Sequence, residues 1–131
     1  GDRVEADIAT APLWVKADAI ALKQALVNLI DNALNYSDDT VTVRLSQQRQ
    51  QAVVQVCDRG RGIPLAEQTQ IFEPFYRVDV DRSRVTGGTG LGLAIVHTLV
   101  QQMQGSVSVQ STVGEGSTFT VQLPICQGAK P

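Results

Sequence analysis

An α+β sandwich is the fold class this sequence predicts, and three observations carry the prediction. A long amphipathic helical pattern stands early in the chain, paired segments of two-residue alternation follow it and again close the chain, and the two kinds of element are segregated in order. The chain has 131 residues, of which 43% are hydrophobic and 18% charged, which suits one compact domain with a single core.

Each element has its own signal. Val4, Ala6 and Ile8 alternate with polar residues, and a second short extended piece is expected at Leu13-Trp14-Val15 after Pro12. Asp18 is placed to cap a helix from about Ala19 to Tyr36, along which Leu22, Ala25, Leu26, Leu29 and Ala33 recur at helical spacing. Ser37-Asp38-Asp39 ends that helix. Thr40 to Ser46 alternates as a strand, residues 47–51 form a polar turn, and Ala52 to Cys57 reads as a more buried strand, giving a hairpin. Pro64 is expected to open a short helix to about Gln70, and residues 72–88, lacking any sustained period, a long loop. Leu91 to Met103 is the third helix, with Gly105 as its stop. Ser106 to Gln110 and Ser117 to Leu123 then close the chain as a hairpin over Val113-Gly114-Glu115-Gly116.

Charge and composition exclude several classes of function. A net charge of −2 with no Lys/Arg-rich arm offers no field for nucleic acid. No apolar run approaches the roughly 20 residues that span a bilayer, and Gly1 to Glu5 does not resemble a signal peptide, so a soluble cytoplasmic segment is expected. Cys57 and Cys126 lack metal-ligand spacing and histidine company, and read as buried or spectator thiols.

Three segments carry candidate chemistry. The run Gly87-Gly88-Thr89-Gly90-Leu91-Gly92-Leu93 leads straight into an apolar helix start. Glycines there let backbone N–H groups reach an anion, although such runs also serve as plain helix-packing devices. Asn28 and Asn32 stand four apart on one stripe of the first helix, about 100° around from its apolar face. Their carbonyl oxygens are hard donors suited to Mg²⁺ shared with substrate phosphates; two ordinary surface amides are the alternative. Asp58, at a strand end before Gly60 and Gly62, can accept from an exocyclic amine such as that of adenine, or can simply cap a strand-turn-helix connection.

Taken together and in order, these segments resemble the ATP-binding catalytic domain of sensor histidine kinases, within the wider family of gyrase, chaperone and mismatch-repair ATPases. Asn28-Leu29-Ile30-Asp31-Asn32-Ala33 with Tyr36-Ser37 is similar to the N box of that family, and Asp58-Arg59-Gly60-Arg61-Gly62-Ile63 to its first glycine box. Phe72-Glu73-Pro74-Phe75-Tyr76-Arg77 resembles the F box, the element most particular to histidine kinases. Gly88-Thr89-Gly90-Leu91-Gly92-Leu93 resembles the second glycine box, and Gly114-Glu115-Gly116-Ser117-Thr118-Phe119 the closing turn and strand.

The resemblance implies a two-layer fold of the Bergerat type, a mixed five-stranded sheet with about three helices on one face, residues 1–131 forming one domain with an ATP lid at about 75–88 and a tail at 125–131. It implies ATP and Mg²⁺ as cofactors. Asn32 would ligate the metal, Asn28 would stand close to metal and phosphates, Tyr36 would pack by the adenine, and Asp58 would bond its amine. Gly60, Gly62 and Ile63 would shape the base pocket. Gly88, Thr89, Gly90, Leu91, Gly92 and Leu93 would form the lid hinge and phosphate cradle, Arg77 would reach the terminal phosphate, Arg82 and Arg84 match basic lid positions, and Ser117 falls where a hydroxyl often stands near the adenine.

One position separates branches of the family by chemistry. The hydrolysing branches carry a glutamate base four residues before the metal-binding asparagine, where this chain has Asn28, and an amide is no general base. A neutral histidine needs no such base to attack the γ-phosphate, so histidine is the implied acceptor, with catalysis resting on positioning and charge neutralisation. The single histidine, His97, lies inside the third helix and reads as a helix-surface residue. The acceptor is therefore expected on a separate dimerisation domain of the same kinase, with a response regulator downstream, no dimer interface in this segment, and any membrane anchor of the full-length kinase elsewhere. Asn35 stands where the family commonly has Lys or Arg, which keeps open a degenerate nucleotide-binding or docking module without kinase activity.

Overall fold

The chain turns helical at Asp18, whose carboxylate accepts from the backbone N–H of Ile20 at 2.9 Å and of Ala21 at 3.3 Å, satisfying two donors the first turn leaves open. From there helix α1 runs Ala19–Tyr36, as its spacing predicts. The structure, a computed structural model, describes residues 4–8, 13–74, 76 and 92–126. Its other elements are strands β1 (Val4–Ile8), β2 (Val41–Gln48) and β3 (Gln51–Asp58), a single 3₁₀ turn at Leu65–Glu67, helix α2 (Gly92–Gln102), and strands β4 (Ser106–Thr112) and β5 (Gly116–Pro124). No helix among the described residues is long and apolar enough to cross a membrane.

The strands form one sheet in the order β1-β2-β3-β5-β4, with β1 parallel to β2 and every other pair antiparallel. The sheet is mixed, as expected. Register assigns its faces: Val43 pairs with Val56, Val56 with Phe119, and Phe119 with Val109, so these side chains share one face. Both helices cover that face. Ala25, Leu29 and Ala33 of α1 and Val96 and Val100 of α2 are fully buried against Val41, Val56, Phe119 and Val121. Each such valine or leucine contributes about 1.5–3 kcal/mol. The other face carries Thr42, Arg44, Gln55, Thr118 and Thr120, with an exposed Arg44–Asp7 pair at 3.8 Å that adds little.

Towards one end of the sheet the apolar face turns polar within a single step of register. Asp58 of β3 pairs with Ser117 of β5, and Ser117 with Ser111 of β4, one row beyond Val56, Phe119 and Val109. That row is the floor of the candidate site.

Three local expectations change. Leu13-Trp14-Val15 is not a strand; only Val15 forms a bridge, to Ile125. The segment after Pro64 is a 3₁₀ helix of three residues followed by successive tight turns, not a helix to Gln70, because the Gln68 side chain donates to the carbonyls of Ile63 (2.9 Å) and Ser111 (3.1 Å) and ties the segment sideways to β4. Two α-helices and this turn therefore stand in place of three helices. Helix α2 stops not on Gly105 but on Gln104, which takes the left-handed conformation at φ 61°. Gln104 N–H bonds the Gln101 carbonyl and Gly105 N–H the Val100 carbonyl, both at 3.0 Å, a Schellman closure. Gly105 is needed for space instead, since a Cβ there would lie 2.3 Å from the Gln122 carbonyl oxygen.

Candidate functional site

Strand β3 delivers Asp58 to the end of the sheet beneath the last turn of α1. Asp58 is 7% exposed, and its carboxylate Oδ1 accepts from the Gly60 backbone N–H at 2.8 Å, an Asx-type turn that folds the loop back. Its other oxygen, Oδ2, is buried and has no partner. Burial raises the pKa of Asp58 above the usual carboxylate value, and the backbone N–H groups of Gly60 and Ser117 oppose that rise. A buried carboxylate oxygen left open is a costly feature for folding alone.

The loop is held tightly against its surroundings. A Cβ at Gly60 would lie 2.1 Å from the Tyr36 carbonyl oxygen at the end of α1. Gly62 has φ +77°, and a Cβ there would lie 2.3 Å from the Thr112 carbonyl oxygen. Both glycines are thus required by close backbone approach, which brings Tyr36, the Asp58 loop and the β4-β5 turn together. Ile63 is buried, and its N–H donates to Ser111 Oγ at 2.7 Å. The Ser111 hydroxyl donates to the Gly116 carbonyl at 2.9 Å, so in its 2.8 Å contact with Ser117 Oγ the proton comes from Ser117. Ser117 is 6% exposed and retains only lone pairs for a ligand.

On α1, Asn28 and Asn32 lie at the margin of the core, both partly buried, as their position on the wheel predicts. Asn32 Nδ2 is buried without a partner. The ring of Tyr36, one turn further on, carries the Arg61 guanidinium at 4.3 Å from its centroid, and Arg61 Nη2 is likewise buried and unpartnered. Three orphaned polar atoms, two donors and one acceptor, thus belong to the end of α1 and the Asp58 loop.

Leu93 packs against the core at the start of α2, while Gly92 beside it is exposed with open space where a Cβ would stand. Arg77, Arg82, Arg84, Gly88, Thr89, Gly90 and Leu91 lie outside the described residues, as does all of the expected lid except Tyr76. Within the F box, Phe72 sets its ring edge-on to Phe119 at 6.2 Å and 5.9 Å from the His97 ring. His97 is half-buried on the surface of α2, its ring beside Phe72 and its Nε2 3.4 Å from Gln101 Nε2 one turn on. The Tyr76 hydroxyl donates to Glu67 Oε1, which pushes its pKa up to about 12. Cavities of about 400 and 380 Å³ at the far end of α2, lined by Lys16, Gln102 and Met103 among others, contain none of the site residues.

Sequence reasoning missed Arg61, Ser111 and Gln68. A basic residue between two loop glycines was the available signal for Arg61; the other two act through partners 43 or 48 positions away, which no local pattern reveals.

The geometry agrees with comparisons to known proteins. Residues 17–127 match the model of the family "Histidine kinase-, DNA gyrase B-, and HSP90-like ATPase". The sensor histidine kinase RppB of Synechocystis sp. is 42% identical over 93% of this chain, which covers 27% of that protein. The circadian input-output histidine kinase CikA of Synechococcus elongatus is 44% identical over 83% of the chain and 15% of its own length. Among solved structures, full-length ShkA in complex with AMPPNP superimposes with a TM-score of 0.83 at 30% identity, over 98% of this chain and 27% of that one. The mycobacterial sensor histidine kinase MprB gives a TM-score of 0.80 at 31% identity, over 95% and 83%. The chain thus spans about a quarter or less of the curated relatives quoted. With its mixed sheet, its N-box helix and its Asp58 loop in place, the chain belongs to the histidine kinase, DNA gyrase B and HSP90-like ATPase family, as a catalytic domain of the sensor histidine kinase kind.

Proposed function

We propose that residues 1–131 form one ATP-binding catalytic domain that holds Mg-ATP between α1 and the lid at about 75–88, and passes its γ-phosphate to a histidine on a separate dimerisation domain of the same kinase, from which a response regulator is served. The observation that carries this reading is the set of buried polar atoms without partners, Asn32 Nδ2 and Asp58 Oδ2. Each is matched by a group on adenosine triphosphate. The exocyclic amine of adenine is a donor for Asp58 Oδ2, with Tyr36 beside the base.

The donor chemistry also fits Mg²⁺. Among the described residues no three His, Cys, Asp or Glu side chains cluster, so a cation here would take its oxygens from the Asn32 amide, the nucleotide and water. Asn32 would hold it, with Asn28 one turn away, and when bound it neutralises developing charge on the phosphates. With its amide oxygen given to the cation, Asn32 would keep Nδ2, which has no partner in the protein, as a donor for a phosphate oxygen. Asn28 offers no general base, which disfavours activation of water and leaves transfer to a nucleophile that needs none, a neutral imidazole.

Titration calorimetry with ATP, with and without Mg²⁺, tests the binding half of the proposal. Affinity that rises with Mg²⁺ in the wild type and not in Asn32→Ala supports it. No detectable binding, or fast steady-state hydrolysis by the chain alone, removes it.

A further inference from the structure

Arg59 and Arg61 stand two apart in one loop and behave oppositely. The Arg59 side chain is 81% exposed and reaches Asp39 only at 4.0 Å, an ordinary solvated charge. Arg61 turns inward. Its guanidinium lies over the Tyr36 ring at 4.3 Å, its Nη2 is buried, and among the described residues neither a carboxylate nor any other acceptor meets that nitrogen. A cation–π contact holds the group in place but does not satisfy an N–H, so on this half-buried side chain one buried donor of a charged group is left without an acceptor.

The backbone leaves it little freedom to turn away. Arg61 is flanked by Gly60 and Gly62, both packed at backbone contact distance, and its carbonyl accepts from Gly114 N–H at 2.8 Å. The position also has an electrostatic logic. Helix α1 has no basic residue in its last turn, where unpaired carbonyls favour a cation, and Arg61 supplies one there from another element. Asp58, in the same loop, remains unpaired at Oδ2, so the two charges do not cancel each other.

We infer that Arg61 is a nucleotide-binding residue, held over the Tyr36 ring so that its guanidinium donates to a phosphate oxyanion of the bound nucleotide. A planar guanidinium that can stack and still present two N–H groups suits this, where a lysine ammonium would not stack in the same way. The inference rests on the proposed nucleotide site and adds to it the group that recognises charge.

Calorimetry on the full chain with Mg-ATP and with adenosine separates the possibilities. Arg61→Ala is expected to weaken Mg-ATP by about ten- to a hundred-fold while adenosine changes by less than about three-fold. Arg61→Lys, which keeps charge and loses the stack, is expected to fall between, and serves if the alanine variant does not fold by circular dichroism. Equal losses for adenosine and Mg-ATP would overturn the inference, because Arg61 would then act only through Tyr36 and the base. No loss for either ligand would overturn it as well. A wild-type chain that binds neither ligand would overturn the nucleotide site itself, and is told apart because it precedes any substitution.

Discussion

Replacing Asp58 by asparagine should move stability and function in opposite directions. The substitution keeps an oxygen to accept from Gly60 N–H, now 2.8 Å from Oδ1, and turns the buried, unpartnered Oδ2 into a neutral amide nitrogen. In the unliganded protein this removes a desolvated charge. An uncharged open polar atom costs less than a charged one, and the gain should be about 1 kcal/mol, or about 3–5 °C in Tm for a domain of this size. The pH dependence fixes the sign. Burial raises the folded-state pKa of Asp58 above its unfolded value of 3.8, so between the two the folded state binds more protons than the unfolded state. Stability from this group is full at lower pH and is lost as pH rises from the unfolded value through the folded one. Asp58→Asn should flatten that part of the profile. Nucleotide binding should suffer, since the new amide presents a donor to the donor amine of adenine, at a cost of about a hundred-fold or more in affinity. Thermal denaturation across pH, with and without Mg-ATP, reads both effects. A variant that melts several degrees lower without ligand, or that keeps the full ligand-induced rise in Tm, would refute the reasoning.

Other positions separate structural from functional demands. Gly116→Ala should destabilise by about 2 kcal/mol or more in urea denaturation, because its φ is +132° and a Cβ would stand 2.1 Å from the Asp58 carbonyl oxygen. Gly92→Ala should instead leave stability unchanged or raise it by up to about 1 kcal/mol, as nothing lies within 4 Å of the new Cβ. Leu29→Ala, at a fully buried position between helix and sheet, should cost about 2–5 kcal/mol by the same assay. Tyr76 should titrate near 12 in a spectrophotometric pH titration and return towards 10 in Glu67→Gln, whose amide no longer offers a charged acceptor.

Much of this architecture was legible because local signals agreed with it. Helix α1 could be read from Asp18 and the apolar spacing, since cap, propensity and burial act together there. The strands of both hairpins followed from alternation for the same reason. The misreadings came where long-range contacts decide. Leu13-Trp14-Val15 has strand-like composition but finds only one bridging partner, at Ile125. After Pro64, a periodic segment too short to hold a helix by itself is fixed by Gln68 reaching β4. At the site, Asn32 and Asp58 could be picked out because their chemistry departs from the pattern around them, a polar pair beside an apolar stripe and a charge ending a buried strand. Arg61 offered only its place between two glycines, because its contact with Tyr36, 25 residues earlier in the chain, is one that no spacing rule encodes.

The central claim is that this domain delivers the γ-phosphate of Mg-ATP to histidine. Mixing the chain with a cognate dimerisation domain that carries the acceptor, in the presence of radiolabelled ATP and Mg²⁺, tests it most directly. The account predicts an acid-labile, base-stable label on the dimerisation domain that disappears with Asn32→Ala and with loss of the acceptor histidine. ATP bound by the wild-type chain with no label transferred, or label that survives acid as a serine phosphate would, contradicts it.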